Sequence, residues 1–106
     1  MVAADQFVWA NRRLIIDLAA RYRIPTIYAW SGYVDEGGLM AHTVDQTPQW
    51  RGAAGYADQL LRGAKLEELP IQLPTTFAFV INLATARALD LTVPRELLAQ
   101  ATRIVE

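Results

Sequence analysis

Cysteine is absent and histidine occurs once, at His42, so there is no disulfide framework, no redox dithiol and no thiolate zinc site. An excess of charge is also lacking. Ten Lys and Arg stand against eleven Asp and Glu, a formal net charge of −1, which argues against the basic footprint of a nucleic-acid binder. No apolar run approaches the ~20 residues that span a bilayer. Met1 to Asp5 carries an acid where an export signal carries basic residues, so no signal peptide is expected in this chain. Internal repeats, low-complexity tracts and flexible linkers are missing too. What is present is 106 residues, 53% of them hydrophobic, with a mean hydropathy of +0.13. That suits one small domain, with some apolar surface left to face something else.

Phe7, Asn11, Leu14, Leu18 and Tyr22, flanked by Ile15 and Ala19, recur at helical spacing. Arg13, Asp17 and Arg21 sit four apart on the other face, and together these rows predict an amphipathic helix over about residues 6–23. Pro25 stops it. Thr26-Ile27-Tyr28-Ala29 is then a short run, apolar on both faces, of the kind that forms a buried parallel strand. A helix feeding such a strand is half of an α/β unit, so the chain is expected to begin mid-architecture, with no strand ahead of its first helix.

Trp30 to Gly38 reads as a loop at the carboxyl end of that strand, where open α/β sheets bind ligands. Leu39 to Val44 is a second strand candidate. Thr47 is the expected N-cap of a helix with Pro48 at its first position. Trp50, Ala53, Ala54, Ala57, Leu60 and Leu61 share one face of that helix, and Gly63 is its expected stop. Gly52 and Gly55 inside it fit either a close backbone neighbour or a frayed surface helix. Lys65 to Pro70 is a polar connector, and Ile71-Gln72-Leu73 is extended between two prolines. Phe77 to Ile81 has the strongest strand composition. Asn82 can cap a short helix over Leu83–Leu89. Thr92 and Pro94 open a last helix whose apolar side is Leu97, Leu98, Ala101, Ile104 and Val105.

The candidate ligand contacts are Trp30, Ser31, Tyr33, His42 and Asp45. The rings of Trp30 and Tyr33 fit one wall of an organic-ligand pocket, with Ser31 and His42 as polar contacts; Trp30 equally fits the core. His42 fits a locally hydrogen-bonded side chain or a pocket contact, and no further ligands stand at metal-site spacing around it. Ser31 lacks the glycines of a nucleophile elbow, and a Ser31–His42–Asp45 catalytic set has only spacing in its favour. Asp35 and Glu36 read as solvated charge on a loop. No catalytic residue, metal or cofactor is assigned.

The ordered series Ile24-Pro25-Thr26-Ile27-Tyr28, Gly37-Gly38-Leu39-Met40, Arg51-Gly52-Ala53-Ala54-Gly55-Tyr56, Leu61-Arg62-Gly63 and Leu69-Pro70-Ile71 is distinctive. With Val80-Ile81-Asn82-Leu83, Thr85-Ala86, Leu91-Thr92-Val93-Pro94 and Leu97-Leu98, it resembles the C-terminal third of an ABC transporter substrate-binding protein of the tryptophan/tyrosine type. The resemblance implies an α/β fold: a partial Rossmann or flavodoxin-like lobe of a type I periplasmic-binding protein, with a short parallel sheet and flanking helices. It treats residues 1–106 as a single partial domain whose first lobe is absent, from a cloned fragment or a shortened reading frame. It also implies a periplasmic parent that captures a small organic solute, an amino acid or aromatic compound, for an ABC permease. Trp30 to Tyr33 and His42 to Asp45 would face the cleft. After Gly37-Gly38-Leu39-Met40 the family commonly continues Ser-Tyr-Gly, and here Ala41-His42-Thr43 stands instead. The alternative is a non-enzymatic sensing or protein-interaction module built on the same lobe. Alone, the piece is expected to pair as a homodimer that hides its strand edges and apolar faces.

Overall fold

The computed structural model describes every residue from Met1 to Glu106 and divides into two compact units, Met1–Thr43 with Ala78–Glu106, and Val44–Phe77.

In the first unit, the Asp5 carboxylate accepts from the amides of Phe7 and Val8 at 2.9 and 3.1 Å and starts helix α1 (Gln6–Ala10). Helix α2 (Arg12–Arg21) follows after a break at Asn11, so the one expected helix is two. The Asn11 side-chain amide donates to the Phe7 carbonyl at 2.9 Å, a local bond that competes with regular helix. Past α2, Arg23 takes a left-handed φ of 52° and the Ile24 amide returns to the Ala19 carbonyl. The buried face of the helix pair is Ile16 with Val8, Trp9 and Ile15. Phe7, Leu14, Leu18 and Tyr22, expected inward, are exposed. Two adjacent apolar rows compete on this helix, and the core takes the isoleucine row.

Strand β1 (Ile27–Tyr28) pairs in parallel with β2 (Met40–Val44), Ile27 opposite Met40 and Tyr28 opposite Ala41. Val2 bridges in parallel to Tyr28 and its amide donates to the Ile27 carbonyl at 2.8 Å. A single bridged residue thus precedes the first helix, with no strand ahead of it. Between β1 and β2, the expected loop contains a short helix, α3 (Gly32–Asp35).

Strand β3 (Phe77–Asn82) pairs in parallel with β4 (Arg103–Val105), Val80 opposite Arg103 and Ile81 opposite Ile104. The sheet order is β1-β2-β3-β4. Its outer pairs are parallel as expected, while the middle pair runs antiparallel. Asn82 donates its amide to the Leu39 carbonyl, whereas Asp45 donates to the Thr76 carbonyl, so the residue numbers run in opposite directions. The chain leaves β2 and re-enters β3 at the same end, which no parallel crossover does.

The Asn82 side chain accepts from the Thr85 amide at 3.0 Å and caps α5 (Leu83–Ala88), as its sequence position suggests. Helix α6 (Arg95–Gln100) is shorter than expected, because Ala101 turns extended at ψ 128°. Ile104 and Val105 then lie in β4 rather than on a helix face. The core gathers Ile16, Tyr28, Tyr33, Val34, Ala41 and Val80, with a smaller cluster of Leu39, Ala86 and Leu89.

The second unit is built on α4 (Gln46–Leu61). Asp45, not Thr47, caps it by accepting from the Thr47 amide at 3.0 Å. Pro48 thus sits one turn in, where a helix amide has no intrahelical partner to lose. The helix stops at Gly63, whose φ is +97°. No residue of α4 is fully buried, and its expected apolar face with Trp50 and Leu61 is exposed. The two interior glycines differ. A Cβ on Gly52 would stand 3.1 Å from the Gln72 side chain, while Gly55 has open space around it. The Tyr56 hydroxyl donates to the Pro70 carbonyl and so ties the extended stretch Ile71–Leu73 to α4.

Candidate functional site

The carboxyl end of β1 delivers Trp30 and Ser31 to the start of α3. Trp30 is half-buried, and its ring meets Trp9 edge-on at 5.5 Å. Trp9 also meets Tyr33 edge-on at 5.1 Å, and Tyr33 stacks on Tyr28 at 4.6 Å. These contacts hold four rings in a chain, in geometries that match their quadrupoles. Trp9 reaches its place only because residue 32 is glycine: a Cβ there would lie 2.6 Å from the Trp9 ring.

Tyr33 therefore is not a wall of a pocket. It is sealed from solvent, and its hydroxyl has no hydrogen-bond partner. Burial pushes its phenol pKa up from the ordinary value, partly opposed by the nearby Arg12 charge. Tyr28 is likewise raised by burial, against a lowering hydrogen bond to Thr26. Both phenols are neutral packing groups. A buried ring and a pocket ring look alike in a sequence, and only the short helix turning Tyr33 inward separates them.

Ser31 stands at the N-cap of α3 with helical backbone angles, and its side chain makes no capping bond. It is half-buried beside Trp30. His42 projects from β2 with its ring 6.3 Å from that of Phe79, tilted by 52°, and is exposed. Asp45 belongs to the second unit, where its carboxylate caps α4. There it lines a cleft of about 300 Å³ with Gln49, Tyr56, Gln72 and Thr75. Trp30 and Ser31 are chain neighbours beside the same ring cluster, whereas Asp45 serves a different unit.

Two residues that sequence reasoning did not single out shape this corner. Trp9 links Trp30 to the core, and the Arg12 guanidinium lies 4.5 Å over the Trp9 ring. Arg12 Nε also meets Glu36 at 2.6 Å, and Arg13 approaches the other carboxylate oxygen at 3.4 Å. The Arg12 hydrogen bond, ahead of Arg13, holds the Glu36 carboxyl below its ordinary pKa. Asp35 pairs with Arg103 at 2.7 Å. The Asp35–Glu36 doublet is thus engaged in separate ion pairs rather than left as solvated charge. No group of three or more His, Cys, Asp or Glu side chains is placed to hold a metal ion.

A half-buried indole and a serine hydroxyl thus stand together at the carboxyl end of a parallel strand, the end at which open α/β sheets bind ligands. Comparison with known proteins gives the family. Residues 1–105 match the family described as "ABC transporter substrate binding protein", and the chain belongs to that family. A conserved domain protein from Vibrio cholerae O1 biovar El Tor shares 27% identity, with 94% of this chain covering 34% of that one at a TM-score of 0.86. An ABC domain from Streptococcus pneumoniae in complex with L-Trp shares 24% identity over 95% of this chain and 35% of that one, with a TM-score of 0.84. The ligand-free, open form of a substrate-binding protein with adhesive properties from Clostridium difficile gives 20% identity, 96% and 34% coverage, and a TM-score of 0.68. No curated protein matches. The chain spans about a third of the length of these solved structures. No helix is long and apolar enough to cross a membrane.

Proposed function

We propose that this chain forms part of the solute-binding wall of an ABC importer's substrate-binding protein, working outside the cytoplasmic membrane and delivering a small organic solute to a permease. A second copy of the chain belongs to the same proposal as a partner. The observation that carries the solute reading is the corner at the end of β1. Trp30 presents a ring held from behind by Trp9, and Ser31 adds a hydroxyl that caps nothing. A ring and a hydroxyl at one strand end suit a solute with an apolar or aromatic body and a polar head. Binding energy then drives closure of two lobes rather than a chemical step. The solute class favoured is amino acids with aromatic or large apolar side chains. His42 beside Phe79 is a further contact in this reading.

Calorimetric titration of the chain with aromatic and aliphatic amino acids at millimolar concentration tests this. Trp30→Ala is expected to weaken the best solute roughly two- to twelvefold, the factor for about 0.5–1.5 kcal/mol of ring contact. Unchanged affinity in that variant would overturn the role of Trp30. Absence of heat with every solute in the panel would overturn the assignment of solute binding to this chain.

A further inference from the structure

The outward row of the N-terminal helices has no function in the solute reading. Phe7 stands on α1, while Leu14 and Leu18 of α2 and Tyr22 at its C-cap recur four residues apart, which keeps these three on one helix face. The four are 77%, 58%, 40% and 65% exposed, while the opposite row carries the core. Arg13, Asp17 and Arg21, four residues apart, flank the leucines rather than opposing them, since Asp17 and Arg21 stand within about 60° of Leu14 around the helix. No ion pair in the chain occupies Asp17 or Arg21, and Arg13 makes only its 3.4 Å approach to Glu36 while 85% exposed.

We propose that this face is the contact surface for a second copy of the chain, packed as an antiparallel α2–α2 pair about a two-fold axis that crosses the outer face at the level of residue 16. In that arrangement Leu14 lies level with the partner's Leu18, and the reverse. A two-fold axis between antiparallel helices keeps the same flank of each on the same side. Asp17 of one copy therefore falls within one turn of the partner's Arg13, twice over. An isologous contact needs this self-complementarity. The apolar row and the unpaired acid beside its basic neighbours supply it within one helix. The four exposed side chains offer roughly 500 Å² per copy, so the pair buries roughly 1,000 Å², the low end of specific interfaces. The expected dimer is weak and reversible, with a micromolar dissociation constant. It is independent of solute binding.

The cysteine-free chain makes the test direct. Leu14→Cys and Leu18→Cys chains, mixed under oxidising conditions, should cross-link as 14–18 heterodimers faster than as either homodimer. That order follows because level residues approach disulfide distance, while like residues are offset by about 6 Å along the axes. Sedimentation of the unmodified chain from about 5 to about 500 µM should show a rising mass. Leu14→Glu with Leu18→Glu should abolish the rise, with folding checked by circular dichroism. Asp17→Arg should weaken association roughly tenfold, and adding Arg13→Asp to it should recover most of the loss. A strictly monomeric chain would overturn the proposal and point to a different polypeptide on this face. So would a dimer indifferent to the leucine changes. Faster 14–14 cross-linking, or no recovery in the charge-swapped chain, would overturn the antiparallel register.

Discussion

Gly38→Ala is the sharpest test of how the core around β1 is built. The added Cβ would sit 2.6 Å from Cε2 and 3.0 Å from Cδ2 of Tyr28, and 2.8 Å from the Tyr33 carbonyl oxygen. Carbon atoms settle at about 3.5–4.0 Å, so the ring overlap approaches 1 Å. The ring has little room to retreat, because Tyr28 is buried and stacked on Tyr33 at 4.6 Å. The carbonyl is equally held, since it accepts from the Gly38 amide at 2.7 Å. Overpacking of this kind costs about 1–3 kcal/mol, and straining one hydrogen bond adds about 1 kcal/mol. A total of about 2–4 kcal/mol corresponds to a fall in melting temperature of roughly 10–20 °C for a domain of this size. Near-UV circular dichroism during heating would follow it, with urea unfolding as a second measure. Gly55→Ala is the control, since nothing lies near that position and alanine favours the helix by about 1 kcal/mol. If Gly38→Ala melts within about 2 °C of the parent chain, the packing account of this corner is wrong.

Tyr33→Phe removes a buried hydroxyl without a partner and is expected to raise stability by about 1 kcal/mol in urea unfolding; a loss of that size would reveal a hidden partner. Asn82→Ala removes both the cap to the Thr85 amide and the donation to the Val34 carbonyl at 3.3 Å. The expected loss is about 2 kcal/mol, with faster hydrogen exchange at Thr85. Glu36 has a folded pKa below its ordinary 4.5, chiefly through its hydrogen bond to Arg12. Its contribution is therefore present above that ordinary value and is lost as pH falls through the lower, folded one. Glu36→Gln should flatten the decline in melting temperature on acidification, and an unchanged decline would place the acid sensitivity elsewhere.

Most element positions were legible because their signals are local. The Asn82 cap, the stop at Gly63 and the strand Phe77–Asn82 each depend on a few neighbouring residues. Failures came where the deciding partner is distant in sequence. Leu14 and Leu18 compete with Ile15 and Ile16 for the core, and periodicity cannot rank two apolar rows on one helix. Arg103–Val105 shows helical spacing with Leu97 and Leu98, yet pairing with Val80–Asn82 makes it a strand. The antiparallel middle of the sheet was hidden for the same reason. Strand-end logic places Trp30 and Ser31 just after β1, and they stand there, at the start of α3. Trp9 and Arg12 were passed over because nothing in a linear reading links them to residue 30.

The bond from the Asp45 amide to the Thr76 carbonyl closes the second unit at its neck. A segment that leaves and returns through one closed neck is exchangeable: its interior can lengthen, shorten or be replaced while the flanking strands keep their register. Shrinking it to a hairpin of a few residues would change the loop-closure entropy by only roughly 2 kcal/mol. The stretch holding α4 and the proline-bounded segment is thus a closed excursion of the chain, entered and left through one hydrogen-bonded pair.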